Sequence, residues 1–260
     1  MAKVKPKLLQ NIFEARYDRG YRYLDRCGDT MVILEEALPK ISNDHVWMPE
    51  EMQPKGARMK CPELDLVLAF DTYRLCLDQN PAEKECPFEE IAKYAFETVV
   101  AKFDIRETRR FGNRQLYILP TDSVEEAERL SLKKVPLSDW PVGGENGLKA
   151  HSCEATIVME NEDKTVSVRF AVKPAFKIEA PVQIDARLKM PPHLLDTGQR
   201  EALLGQLKRQ KQREETPLAG LMLDMDYWWT APEKPDVSKF LSDSTKKITA
   251  LLKAFVEEGK

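Results

Sequence analysis

"LMLDMDYWW", Leu221 to Trp229, alternates side chains of two kinds with the period of a β-strand. Leu221, Leu223, Met225 and Tyr227 share one face of such a strand, and Met222, Asp224, Asp226 and Trp228 share the other. The segment "PDVSKFLSDSTKKITALLKAF" follows with helical spacing and a capping Asp236, so the first face has a helix to pack against. The second face then carries two carboxylates with their Cα atoms roughly 6.5 to 7 Å apart, and an aromatic beside them.

An earlier stretch repeats this pattern. In "LVLAFDTY", Leu66 to Tyr73, Leu66 matches Leu221, Leu68 matches Leu223, Phe70 matches Met225, Asp71 matches Asp226 and Tyr73 matches Trp228. The helices that follow match as well, Phe88 with Phe240, Phe96 with Ile248 and Phe103 with Phe255. Strand, shared aspartate, aromatic and order of elements together read as an internal duplication. The expected fold is α+β: a duplicated antiparallel sheet with one long helix packed on each half.

The rest of the chain fills in this frame. A first β-rich half spans residues 1–120, with a helix over 87–104. Within it, "NIFEARYDRGYRYLDRCGDTMVILEE" reads as short strands joined by turns at Gly20 and "CGD". Residues 37–62, with four prolines, read as a long surface loop anchored by Trp47. "ELDLVLAFDTYRLCL" reads as one strand, and "RETRRFGNRQLYILP" as the strand that closes the half. Residues 121–150 hold a helix opened by a capping box, Ser123 with Glu126, then a Pro- and Gly-rich linker. The second half, 151–260, holds strands in "CEATIVME", "TVSVRFAV" and "PVQIDARLKM", a helix over 198–214 with Thr197 near its cap, the quoted strand, and a terminal helix over 237–258.

Composition narrows the function classes. No run approaches the 18 to 20 apolar residues of a membrane span, and the basic start "MAKVKPKLL" has no apolar stretch behind it, so a cytoplasmic protein is expected. The five cysteines form no CxxC pair, which argues against a disulfide framework and a structural zinc site. "HSC", His151 to Cys153, offers two ligands where a site needs more. "GGENGLK" fits neither phosphate-loop pattern. No cofactor is expected.

Three uses of the second strand face compete. Asp224 and Asp226 could bracket a hard cation, giving a metal-dependent hydrolase or nuclease. Against this, the first copy has Ala69 where the second has Asp224, so the sequence favours Asp71 and Asp226 as strand-end residues bonded to neighbouring turns. The arginines of "RYDRGYRYLDR" and "RETRRFGNR", among them Arg16, Arg22, Arg109 and Arg110, lie beside aromatics and could hold single-stranded nucleic acid or RNA. A net charge of -3 disfavours that class. The third use is a protein interface built on Tyr73 and Trp228, with Asp71 and Asp226 beside them.

The stretches "FEARYDRGYRYLDR", "FDTYRL…PFEEIAKYAFETVV" and "LMLDMDYWW…FLSDSTKKITALLKAF" resemble a sporadically distributed family of uncharacterised bacterial proteins. The resemblance implies the same closing strand and helix, brings no assigned activity, and suggests an accessory setting such as antiviral defence. The leading expectation is a non-enzymatic scaffold or regulatory protein whose partner is another protein, with a homo-oligomer left open.

Overall fold

The computed structural model describes residues 5–82, 84–134, 152–176, 184–214, 219–233 and 235–257. The element order is β1 (Lys7–Tyr17), α1 (Tyr23–Ile41), β2 (Met48–Gln53), β3 (Gly56–Cys61), β4 (Leu66–Phe70), β5 (Arg74–Gln79), α2 (Phe88–Phe103), β6 (Thr108–Thr121), α3 (Val124–Lys134), β7 (Ala155–Glu160), β8 (Val166–Phe176), α4 (Thr197–Glu214), β9 (Ala219–Thr230) and α5 (Val237–Glu257). Short 3-10 turns at Ala186–Lys189 and Pro192–Leu194 precede α4.

All nine strands join in one sheet in the order β2-β3-β4-β5-β1-β6-β9-β8-β7, and every paired neighbour runs antiparallel. The class is α+β, as expected, but the strands up to residue 121 and those after residue 150 share one continuous sheet, joined through the β6–β9 pair. The topology also shifts the repeat. β9 pairs with β6, and the strand that pairs with β1 is β5 rather than β4.

One face of the sheet is the core. Phe13, Leu77, Phe111, Leu223 and Met225 point into it, each fully buried, and α1, α2 and α5 supply Leu34, Phe96 and Phe240 from above. Rings of Phe13, Phe96, Phe111 and Phe240 meet at 5.0 to 6.2 Å. Burial of four such side chains contributes on the order of 10 kcal/mol before entropy is counted.

Several local readings hold and several fail for physical reasons. Ser123 Oγ accepts the Glu126 N–H at 3.2 Å and so caps α3 as expected, while Glu126 Oε2 reaches one residue further back than a capping box requires and accepts the Asp122 N–H at 2.9 Å. Asp236 caps α5 through the Lys239 N–H at 3.0 Å. Residues 23–36, expected as strands, belong to α1, because Tyr23, Cys27, Met31, Leu34 and Leu38 make a buried stripe at helical spacing. Gly28 is an exposed helix residue, not a turn, and tertiary packing overrides its cost of about 1 kcal/mol. Gly20 opens no hairpin; its N–H bonds Thr72 O at 2.7 Å, and a Cβ there would stand 3.2 Å from Phe103.

The expected loop over 37–62 is the end of α1 followed by the β2–β3 hairpin, with Trp47 buried and its indole N–H on Ser42 Oγ at 3.0 Å. The single strand expected over 63–77 is the β4–β5 hairpin. Of the strand expected in "PVQIDARLKM", the described part is the 3-10 turn at Ala186–Lys189. α4 is capped by Asp196, whose Oδ1 accepts the Gly198 N–H at 2.8 Å. The linker expected after α3 lies outside the described residues from 135 to 151. Among the described residues no helix is long and apolar enough to cross a membrane.

Candidate functional site

The face opposite the core holds every residue of the three competing readings that lies on a sheet strand in register. β9 presents Met222, Asp224, Asp226 and Trp228 there, as its period requires. Cross-strand register then fixes their neighbours. Asp226 lies between Arg114 of β6 and Arg169 of β8, and Trp228 between Gly112 and Ser167.

These neighbours answer the carboxylates. Arg114 holds Asp224 with two nitrogens, Nε to Oδ1 at 2.8 Å and Nη2 to Oδ2 at 2.7 Å. Arg169 Nη2 donates to the same Oδ2 at 2.9 Å. Arg110 Nη2 donates to Asp226 Oδ2 at 3.1 Å, and its guanidinium carbon stands 4.9 Å from the centre of the Trp228 ring. A Cβ at Gly112 would meet this guanidinium at 3.6 to 3.8 Å, an ordinary contact. Burial pushes the Asp226 carboxyl above its ordinary range, and Arg110, Arg169 and Arg114 oppose that rise. The bidentate bond to Asp224 raises Arg114 further.

The arrangement is a fixed electrostatic lattice of three guanidiniums and two carboxylates. A cation between Asp224 and Asp226 would have to displace guanidiniums that occupy their oxygens, at a site already rich in positive charge. Among the described residues no three His, Cys, Asp or Glu side chains come together as a metal would require. Asp226 is therefore mid-strand and arginine-bound, not the strand-end residue that the repeat suggests, whereas Asp71 is one. Its Oδ1 accepts the Tyr73 N–H at 2.7 Å and the Arg74 N–H at 2.9 Å, closing the β4–β5 turn.

Around this lattice the accessible end of the face is framed by arginine and aromatic side chains. Arg74, Arg16 and Arg110 are direct cross-strand neighbours on β5, β1 and β6. Each is tied to one carboxylate through one nitrogen, Arg74 to Asp71 at 3.2 Å and Arg16 to Glu14 at 2.7 Å. Tyr73, 56% exposed, lies in the β4–β5 turn just before Arg74, its carbonyl accepting the Tyr17 N–H at 3.0 Å, and Trp228, half-buried, is near the other end of the row. Of the expected nucleic-acid residues, Arg16 and Arg110 are thus brought together. Arg22 lies just before α1, and Arg109 falls in the bulge between the Arg16–Arg110 and Tyr17–Thr108 pairs. Sequence reasoning missed Arg74 and Arg169 because nothing local marks them; only the register does.

Four of the thiols are held in their protonated form. Burial pushes Cys61 and Cys76 up to about 12 and Cys86 to about 11, and it raises Cys27 as well.

Fold and site together define an α+β protein with one antiparallel sheet, α1, α2 and α5 on its core face and an arginine-laced opposite face. No family model matches the chain, and neither does any curated protein.

Proposed function

We propose that this protein is a non-enzymatic binding protein, a scaffold or regulator that docks another protein on the sheet face framed by Tyr73 and Trp228. The observation behind this reading is the exposed Tyr73 in the turn beside Arg74 and Arg16, whose side chains are themselves exposed and whose own carboxylates are already satisfied. Aromatic and arginine side chains are the residues that dominate protein interfaces. A capture experiment from native lysate tests it, comparing the wild-type chain with the Tyr73→Ser/Trp228→Ser double variant after nuclease treatment. Binding on this face predicts a stoichiometric protein that the variant loses; the same proteins in both lanes would refute it.

A second reading is favoured by the Arg74–Arg16–Arg110 row, in which like charges stand directly opposite one another, an unfavourable pairing in an unliganded sheet. A single-stranded nucleic acid would neutralise them and stack its bases on Tyr73 and Trp228. Three phosphate contacts imply roughly 20-fold weaker binding between 50 and 200 mM salt. An Arg16→Gln/Arg74→Gln variant should flatten that dependence, and no retention of any oligonucleotide at low salt would end this reading.

A further inference from the structure

At the end of the sheet where β1 stops and β5 and β6 begin, three chain segments are stitched into one surface. The Tyr17 N–H donates to Tyr73 O at 3.0 Å and the Gly20 N–H to Thr72 O at 2.7 Å, which fixes residues 17–20 beside the β4–β5 turn. On the other side the Asp18 N–H donates to Glu107 O at 3.1 Å and the Arg22 N–H to Phe103 O at 3.5 Å, which fixes the same segment beside the approach to β6. Arg16, Arg19, Arg22, Arg74, Arg106 and Arg109 are all exposed on these segments. Two tyrosines stand exposed among them, Tyr73 at 56% and Tyr21 at 65%, with the Arg19 guanidinium carbon 5.6 Å from the Tyr21 ring centre.

The kind of cation matters here. Across the whole chain lysine outnumbers arginine, yet residues 16–22, 71–74 and 104–110 hold seven arginines and no lysine. Lysine serves as well as arginine where only solvation is needed; the planar guanidinium fork is what holds a carboxylate with two parallel bonds. The acids at this end leave much of that capacity unused. Arg16 is tied to Glu14, and Arg74 to Asp71, through Nε alone, so the outer nitrogens of both carry no carboxylate. Arg106 reaches Asp104 only at 4.0 Å. Among the described residues Arg19, Arg22 and Arg109 make no ion pair.

We infer that this arginine–tyrosine end of the sheet takes a net-acidic segment of the partner protein, its carboxylates held by the guanidiniums of Arg19, Arg22 and Arg74. The inference rests on the protein-docking reading and extends that site from Tyr73 round the end of the sheet. A nucleic acid fits less well. Its backbone is charged at every nucleotide, whereas Asp104 and Glu107 stand exposed among these arginines on a chain of net charge -3. A protein segment sets its carboxylates one by one and can place neutral or basic side chains opposite those two acids.

Fluorescence anisotropy of the full chain tests this with three labelled probes of equal length: a peptide of aspartate, glutamate and leucine, the same peptide with every acid changed to its amide, and an oligothymidylate. The acidic peptide should bind at least about 10-fold more tightly than either of the others at about 50 mM salt, and less tightly as salt rises. Arg19→Lys/Arg22→Lys/Arg74→Lys keeps the charge and removes the forks. It should weaken the acidic peptide by roughly 5-fold or more, with the melting temperature unchanged because all three side chains are exposed. Failure of the acidic peptide to bind, equal binding of its amide counterpart, tighter binding of the oligothymidylate, or full affinity in the lysine variant would each overturn the inference. The lysate capture separates it from the docking reading. A partner lost by Tyr73→Ser/Trp228→Ser but kept by the lysine variant would leave docking standing and overturn the acidic contact; a partner lost by the lysine variant alone would do the reverse.

Discussion

The guanidinium of Arg110 covers the ring of Trp228 at 4.9 Å and at the same time donates to Asp226 at 3.1 Å, so one side chain shields an aromatic and neutralises a carboxylate on the same strand. Both partners lie on β9, two residues apart, and Arg110 reaches them from the neighbouring β6 past Gly112. The expected behaviour of β9 follows from this triad more than from either aspartate alone.

Replacing Arg110 by leucine should cost about 1 to 3 kcal/mol at neutral pH, through the lost cation–π contact and a carboxylate left poorly paired. The sign with pH is fixed by Asp226. Burial already raises its folded-state pKa, and losing Arg110 raises it further. An acid that holds its proton more tightly in the folded state favours folding below its unfolded value, near 4, and loses that advantage as pH rises from there through its higher folded value. Urea denaturation should therefore show a smaller loss at about pH 4 than at pH 7. An equal loss at both would show that Asp226 does not sense Arg110.

Asp185 has the opposite sign. Burial alone would push its carboxyl up, but hydrogen bonds from Arg187 and Lys60 hold it well below the ordinary carboxylate range. Lys60 is nearly buried on β3, and Arg187 also lies 3.6 Å from Glu50 of β2, so these ion pairs dock the segment before α4 against the β2–β3 hairpin. Stability from a depressed acid is present above about pH 4 and is lost as pH falls below it. Asp185→Asn should release the segment at neutral pH. Hydrogen exchange, corrected for intrinsic rates, is expected to rise in Ala186–Lys189 and α4 and to stay unchanged in β1 and β6. A uniform change across the sheet would contradict local docking.

A buried polar pair ties the sheet to the terminal helix. Asn113 Nδ2 donates to Ser244 Oγ at 2.7 Å, and that hydroxyl donates to Leu241 O at 2.9 Å. Ser244→Ala should destabilise by about 1 to 3 kcal/mol, because the Asn113 amide is left buried without its acceptor. The Asn113→Ala/Ser244→Ala pair should cost clearly less than the sum of the single changes. Strict additivity in a thermal or urea double-mutant cycle would mean the bond contributes nothing.

The contrast between what the sequence showed and what it hid comes down to range. β6, β9, α2, α3 and α5 were legible because each carries a strong period and its own caps within about a dozen residues. α1 was misread because tyrosines at alternate positions and two glycines imitate hairpins, while the helical stripe from Tyr23 to Leu38 declares itself only once Phe103 and the sheet are beneath it. The site divides the same way. The shared face of Asp224, Asp226 and Trp228 follows from strand period, but their arginine partners come from positions 110 to 116 and 55 residues away, and only the register of three strands brings them together.

Two glycines on the β6–β9 seam separate close approach from mere smallness. At Gly220, opposite Pro120, a Cβ would stand 2.5 Å from the Leu119 carbonyl oxygen and 2.6 Å from the Ile118 side chain. No rotamer relieves an overlap with backbone, so Gly220→Ala must push the two strands apart or bend β9 at its start. At Gly112 the same methyl would meet only the Arg110 guanidinium at ordinary contact distance. Gly220→Ala should lower the melting temperature markedly, by roughly 1 to 3 kcal/mol of overpacking, and Gly112→Ala should change it little. Because Gly112→Ala keeps Arg110 over Trp228, it should also leave the Trp228 fluorescence environment unaltered. If the two variants were equally mild, β6 and β9 would not approach as closely as the Pro120–Gly220 pairing requires.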